Sequence, residues 1–249
     1  MAGIVFAPVG DRGPARRPSS YEPVTGVQRT AADLGDVPLW LEDVELAPGS
    51  ELVFRPDHGE EALFVLEGVV DVDGEGCGAG GAVIVEAGAR PRVRADEPAR
   101  LVHFGRQAAD RREADVARPA THHVVGPEGT YAREDDERRT RFFADSDCDG
   151  CAITLFTTGR TSAYTSAPHS HSAPEILYVV DGTIAFGRRR LGPGDAVGIA
   201  ADRRYGFRSD GAFTFLNYRP GPSSMTAERG GRPRPEGARA HGFERVAQP

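Results

Sequence analysis

The chain has 249 residues, a formal charge of −7 and 30 basic side chains, all of them arginine. The missing lysine removes Schiff-base catalysis, a pyridoxal phosphate anchor and the lysine of a phosphate-binding loop, since arginine stays a cation near neutral pH. The acidic balance gives nucleic acid no electrostatic footing, no apolar run approaches the ~18 residues of a membrane span, and three cysteines cannot frame a disulfide scaffold. With no basic region in Met1–Gly10 to suggest a signal peptide, the expectation is a cytoplasmic protein with neither a nucleic-acid nor a membrane partner.

Taken in chain order, residues 1–37 are rich in Pro, Gly and Arg and read as an arm or edge strands. Residues 38–106 carry short apolar runs between glycine turns, such as Leu63–Leu66, Val69–Val72 and Ala82–Val85, which are strands. Residues 107–149 read as a linker, with a helix expected over Gln107–Arg118 and Glu134/Arg138 and Asp135/Arg139 at helical spacing. Strand-like runs resume over 150–220, including Ile176–Val180 and Ala212–Leu216, and the Gly- and Pro-rich segment 221–249 reads as a disordered tail.

The two strand-rich stretches repeat one another. Glu61-Ala-Leu-Phe-Val-Leu-Glu-Gly68 matches Glu175-Ile-Leu-Tyr-Val-Val-Asp-Gly182 at an offset of 114 (175 minus 61). The same offset pairs Gly78–Val83 with Gly192–Val197, Leu101–Phe104 with Phe215–Tyr218, and Leu39–Leu41 with Ile153–Leu155. Four matches in order without a gap define a duplicated all-β unit, and a sheet of that size protects its edges by closing or doubling, as in a jelly roll.

In the second copy, Pro168-His-Ser-His-Ser-Ala-Pro-Glu175 precedes six residues and Gly182. His169 and His171, two apart on a strand, point to one face, and Glu175 can start the next strand facing them. Two imidazoles and a carboxylate with open positions suit a divalent first-row metal, iron above all, with manganese, nickel or zinc as alternatives. The competing reading is a pair of surface histidines in a Ser-rich loop.

This pattern, His-x-His-x3-Glu-x6-Gly followed by the Pro193-Gly194-Asp195 turn, resembles the two motifs of the cupin superfamily, and its tandem repeat resembles a bicupin. The resemblance implies an all-β chain of two tandem jelly-roll (double-stranded β-helix) barrels with a short helical or charged linker. It also implies metal bound by His169, His171 and Glu175 in the C-terminal barrel. The family's fourth ligand, a histidine, falls on Tyr205, which either ligates as phenolate or donates a hydrogen bond. The first copy has Arg55 and Asp57 in place of the histidines; His58, Glu61 and His103 make a poor site there, so a degenerate copy is expected.

The function expected is that of a metal-dependent enzyme acting on a small organic molecule, an oxygenase or dioxygenase first, with Tyr205 as catalytic donor. Isomerase, lyase and hydrolase chemistry on the same site, or a non-catalytic ligand-binding module, are the alternatives, in a monomer or a homodimer. Several signals carry less. Gly76–Gly81 spells G-x-G-x-x-G before a strand rather than a helix, Cys148 and Cys151 form a lone C-x-x-C, and Arg188–Arg190 read as a hairpin tip rather than a carboxylate site.

Overall fold

The computed structural model describes residues 3–15, 20–22, 25–107, 119–145, 152–227, 231–238 and 241–246. The expected helix over 107–118 and the Cys148/Cys151 pair lie outside the described residues, apart from Gln107. What is described is all-β, broken only by a 3-10 turn at Val9–Asp11. No helix among the described residues is long and apolar enough to cross a membrane.

The chain divides into two compact units: Gly13–Ala31 with Trp40–Gly129, and Met1–Arg12 with Ala32–Leu39 and Thr130–Pro249. In the first, the larger sheet runs His122–Val125, Ala82–Val85, Glu61–Glu67, Ala99–Arg106, Leu39–Leu46, Val27–Ala31, Gly13–Pro14. Its smaller sheet runs Ser50–Val53, Arg92–Ala95, Val69–Val72, Glu75–Gly78. In the second, the larger sheet runs Ile4–Ala7, Ala196–Ile199, Glu175–Gly182, Phe213–Arg219, Thr154–Arg160, Arg138–Ala144, Tyr131–Glu134, Glu244–Arg245. Tyr164–Thr165, Arg208–Ser209, Ile184–Phe186 and Arg189–Leu191 form its smaller sheet. The order from Ala82–Val85 to Val27–Ala31 matches that from Ala196–Ile199 to Arg138–Ala144, the outermost strands differ, and the offset of 114 holds in the register: Leu63 pairs with His103, and Leu177 with Asn217.

Packing explains the strand sequences. Glu61–Glu67 and Glu175–Gly182 are central, so their first five residues are buried on both faces and read as unbroken apolar runs rather than alternating ones. Leu52, Leu63, Val83 and Leu101 belong to one core, and Leu177, Val197, Phe213 and Phe215 to the other. The glycine ending each motif turns the chain sharply. Gly68 and Gly182 have φ of +81° and +72°, and a Cβ there would meet the oxygens of Pro98 and Ala212 at 2.5 and 2.2 Å; only glycine fits.

Two expectations are corrected. Residues within 221–249 are built into the second unit rather than disordered: Ser224–Thr226 pairs with Ser170–His171 and with Arg234–Pro235, and Ala238 is fully buried. Backbone pairing anchors this segment despite its Gly and Pro content. The charged stretch 131–144 is no helix or linker but a hairpin, Tyr131–Glu134 against Arg138–Ala144. Asp135 Oδ1 accepts the backbone N–H groups of Glu137 and Arg138 and so closes the turn. Residues 1–37 supply edge strands to both units, and Arg189–Leu191 is a hairpin strand with Arg190 paired to Asp210 at the surface.

Candidate metal centre

His169 and Tyr205 form a two-residue antiparallel bridge, each N–H donating to the other's carbonyl at 2.8 Å, and this presents both rings to one cavity. Their ring centres are 4.5 Å apart, and those of His169 and His171 are 4.9 Å apart. His171 sits in the short strand two residues on, and Glu175 opens the central strand; both are buried, Glu175 completely.

Each histidine is oriented through Nδ1. His169 Nδ1 donates to the Ala167 carbonyl at 2.8 Å, and His171 Nδ1 donates to Glu236 Oε2 at 2.6 Å. That turns both Nε2 atoms away from their outer acceptors, the usual arrangement of metal-binding imidazoles, with His171 Nε2 met by Arg219. His171 Nε2 lies 3.7 Å from Glu175 Oε1, a buried oxygen with no hydrogen-bond partner within 3.5 Å. The other oxygen, Oε2, accepts from Asn217 Nδ2 at 2.7 Å and from Arg219 Nε and Nη2 at 3.2 and 3.1 Å.

Arg219 is the residue that the motif did not announce. Beyond Glu175, its Nη1 lies 2.8 Å from Glu236 Oε2, and its Nη2 donates to His171 Nε2 at 3.4 Å. Burial works to raise the Glu175 pKa, but Arg219, His171, Tyr205 and Asn217 outweigh it and hold the carboxyl below its ordinary value. Burial also opposes the Glu236 charge, yet hydrogen bonding from His171 and the Arg219 cation bring that carboxyl down to about 2. The site therefore gathers two carboxylates around one guanidinium and the His171 imidazole.

The expected residues are neighbours, but not yet a closed ligand set. Among the described residues no group of three His, Cys, Asp or Glu side chains is gathered closely enough to hold a metal as it stands. His171 and Glu175 face one another, His169 rests on Tyr205, and Arg219 Nη2 touches both members of the His171/Glu175 pair. The donor chemistry, two imidazole Nε2 atoms and an unpartnered carboxylate oxygen, suits a divalent first-row ion; Arg219 is its competitor. Burial lowers the His169 pKa, which favours the neutral imidazole that a metal requires. Burial and the Glu175 charge raise the Tyr205 pKa well above its ordinary value, so the phenol stays protonated and acts as a donor rather than a phenolate.

A cavity of about 320 Å³ opens onto this cluster, with His169, His171, Tyr205, Asn217 and Arg219 in its wall beside Phe156, Phe207 and Phe215. Sequence reasoning missed Arg219, Glu236, and the Asn217 contact to Glu175. Glu236 lies in the segment that composition marks as tail, and the repeat identifies Asn217 only as the counterpart of His103.

The corresponding place in the first unit is filled. Glu61 Oε2 lies 2.8 Å from His103 Nε2, Tyr21 Oη bonds to His103 Nδ1, and Ser20 Oγ donates to Glu61 Oε1 at 2.7 Å. Gly105 takes the place of Arg219, and the Trp40 ring lies where its Cβ would be, 2.2 Å away. His58 turns both ring nitrogens to the carbonyls of Gly59 and Ala89 at 2.6 Å. Both ring nitrogens of His58 are engaged, and His103 Nε2 is turned to Glu61.

No family model and no curated protein matches the chain by sequence. Solved structures do. A glyoxylate-induced protein of Pseudomonas aeruginosa superposes with a TM-score of 0.67 at 17% identity, covering 88% of this chain and 89% of its own. Oxalate decarboxylase of Lactobacillus farciminis, solved as a formate complex, gives 0.66 at 14% identity over 89% and 88%. The pirin of Escherichia coli, solved with nickel(II), gives 0.61 at 13% over 88% and 99%. The fold is of the cupin type.

Proposed function

We propose that the chain is a bicupin, two jelly-roll barrels in tandem, and a metal-dependent enzyme that acts on a small organic molecule in the cavity of its C-terminal unit. The observation that carries this reading is the buried Glu175 Oε1, without a hydrogen bond and facing His171 Nε2 at 3.7 Å. The neighbours support it as fold relatives, among them a pirin solved with nickel(II). His169, His171 and Glu175 would hold the ion. When bound, a divalent metal supplies a Lewis acid and, as iron, a site for O2, which makes oxygenation the first reaction class.

The chain's own residues have definable parts. Ala167 and Glu236 fix the imidazoles, Asn217 and Arg219 fix the carboxylate, and aromatic side chains form part of the cavity wall. Tyr205 keeps its proton, and its phenol would donate a hydrogen bond to a substrate oxygen. A second reading, a ligand-binding module without chemistry, is favoured by one contact: Arg219 already supplies a cation to the His171/Glu175 pair.

The test is oxygen uptake by protein reconstituted anaerobically with iron, over a panel of small aromatic and aliphatic acids. The enzyme reading predicts consumption that His169→Ala abolishes. Equal rates in wild type and His169→Ala would favour the binding module.

A further inference from the structure

The cavity carries a second polar feature, built without His169, His171 or Glu175. Arg138 and Arg160 are directly opposed across the antiparallel pair Arg138–Ala144 and Thr154–Arg160, and both line the cavity. Like charges facing each other on a sheet are destabilising unless something sits between them. No Asp or Glu is among the cavity's lining residues, and the nearest carboxylate acting on both guanidiniums is that of Asp135, outside the cavity wall. Asp135, close in sequence, gives Oδ1 to the turn N–H groups.

Both guanidiniums are nonetheless held in place. Arg138 Nε donates to Thr140 Oγ1 at 2.8 Å, and Thr140 is bonded in turn to Thr158 at 3.2 Å. The Arg160 guanidinium stacks on the Tyr164 ring, 4.4 Å from its centre. Both arginines are half-buried, and burial and then Arg160 lower the Arg138 pKa although Tyr164 and Asp135 oppose them. Two held guanidiniums with no carboxylate in the cavity wall can receive an anion from the cavity side.

The register places this pair relative to the metal candidate. On Thr154–Arg160, Phe156 pairs with Asn217, which touches Glu175, and Arg160 pairs with Phe213. Four residues of strand separate the two levels, about 13 Å of backbone at ~3.3 Å per residue, and long arginine side chains shorten the gap. The wall between them is Phe156, Phe207, Phe213, Phe215 and Leu177.

We infer that the cavity of the C-terminal unit takes a carboxylic acid with an aromatic or similarly flat apolar body, its carboxylate held between Arg138 and Arg160 and its body against the phenylalanine wall. This names a substrate class for the proposed enzyme, but it requires neither metal nor turnover. A planar, bidentate carboxylate matches two guanidiniums better than a neutral head group does.

The test is calorimetric titration of metal-stripped full-length protein with phenylacetate, 3-phenylpropionate and cinnamate, each beside its primary amide. At least one acid should bind, its amide about tenfold or more weakly. Arg138→Gln and Arg160→Gln should each weaken the acid about tenfold and leave the amide unchanged. Binding of acid and amide with equal affinity, or no binding by any of the three acids, overturns the inference, and the comparison in wild type needs no variant to fold. Because metal is absent throughout, failure here is separable from failure of the metal reading.

Discussion

Replacing Arg219 with methionine removes, among the described residues, the only guanidinium in contact with both Glu175 and Glu236, while keeping much of its apolar stem. Its hydrogen bonds to Glu175 at 3.2 and 3.1 Å and its ion pair with Glu236 at 2.8 Å disappear, all in a site almost closed to solvent. Removing one partner of a buried charge network costs about 3–5 kcal/mol, because the remaining charges stay buried without compensation. Urea denaturation of chelator-treated Arg219→Met should show a loss of that order. A divalent ion then has two carboxylates to itself and no competing cation at His171 Nε2. Added at a hundred times its dissociation constant, it should restore about 3 kcal/mol, and it should bind the variant more tightly than wild type. A loss under about 1 kcal/mol, or a variant that manganese, iron, nickel and zinc all fail to stabilise, would refute this charge balance.

Three further outcomes are expected. Gly182→Ala places a Cβ 2.2 Å from the Ala212 oxygen at a φ of +72°, so the stability measured in urea should fall by about 2 kcal/mol or more; a loss of a few tenths would mean that the turn yields freely. Tyr205→Phe keeps the ring against His169 and removes the donor, so bound metal should persist while turnover falls about a hundredfold or more; unchanged turnover would remove the phenol from the chemistry. Burial and then Glu75 raise the Cys77 thiol to about 11 from 9.0, so peptide mapping after alkylation of native protein at pH 8 should find Cys77 unmodified. The sign follows from the raised value: the contribution is full below about pH 9, is lost as pH rises through about 11, and amounts to at most about 3 kcal/mol. Ready alkylation of Cys77 in the folded protein would contradict its burial.

Much of this architecture could be read from the chain because short-range pattern and long-range pairing agree. The offset of 114 survives as a shared order of the central strands, and Gly68 and Gly182 mark the same turn in both units because neither has room for a Cβ. The His169–His171 pair was legible because a period of two on a strand fixes the face. What failed lay where composition stood in for pairing. The stretch Glu134–Arg139 offered only a four-residue charge spacing, in Glu134/Arg138 and Asp135/Arg139. The strand won because Thr154–Arg160, distant in sequence, pairs with Arg138–Ala144. Glu236 was hidden among Gly and Pro residues whose composition argues against packing, yet its carboxylate holds His171. Arg219 had no motif to mark it, since its counterpart is Gly105 and the two units diverge at that position.

Whether His169, His171 and Glu175 hold a divalent ion despite Arg219 is tested most directly by elemental analysis of protein purified without chelator. Wild type is measured beside the His171→Ala/Glu175→Gln double variant. About one first-row ion per wild-type chain and none in the variant is the predicted result. Wild type without stoichiometric metal, or a double variant that carries as much, would contradict it.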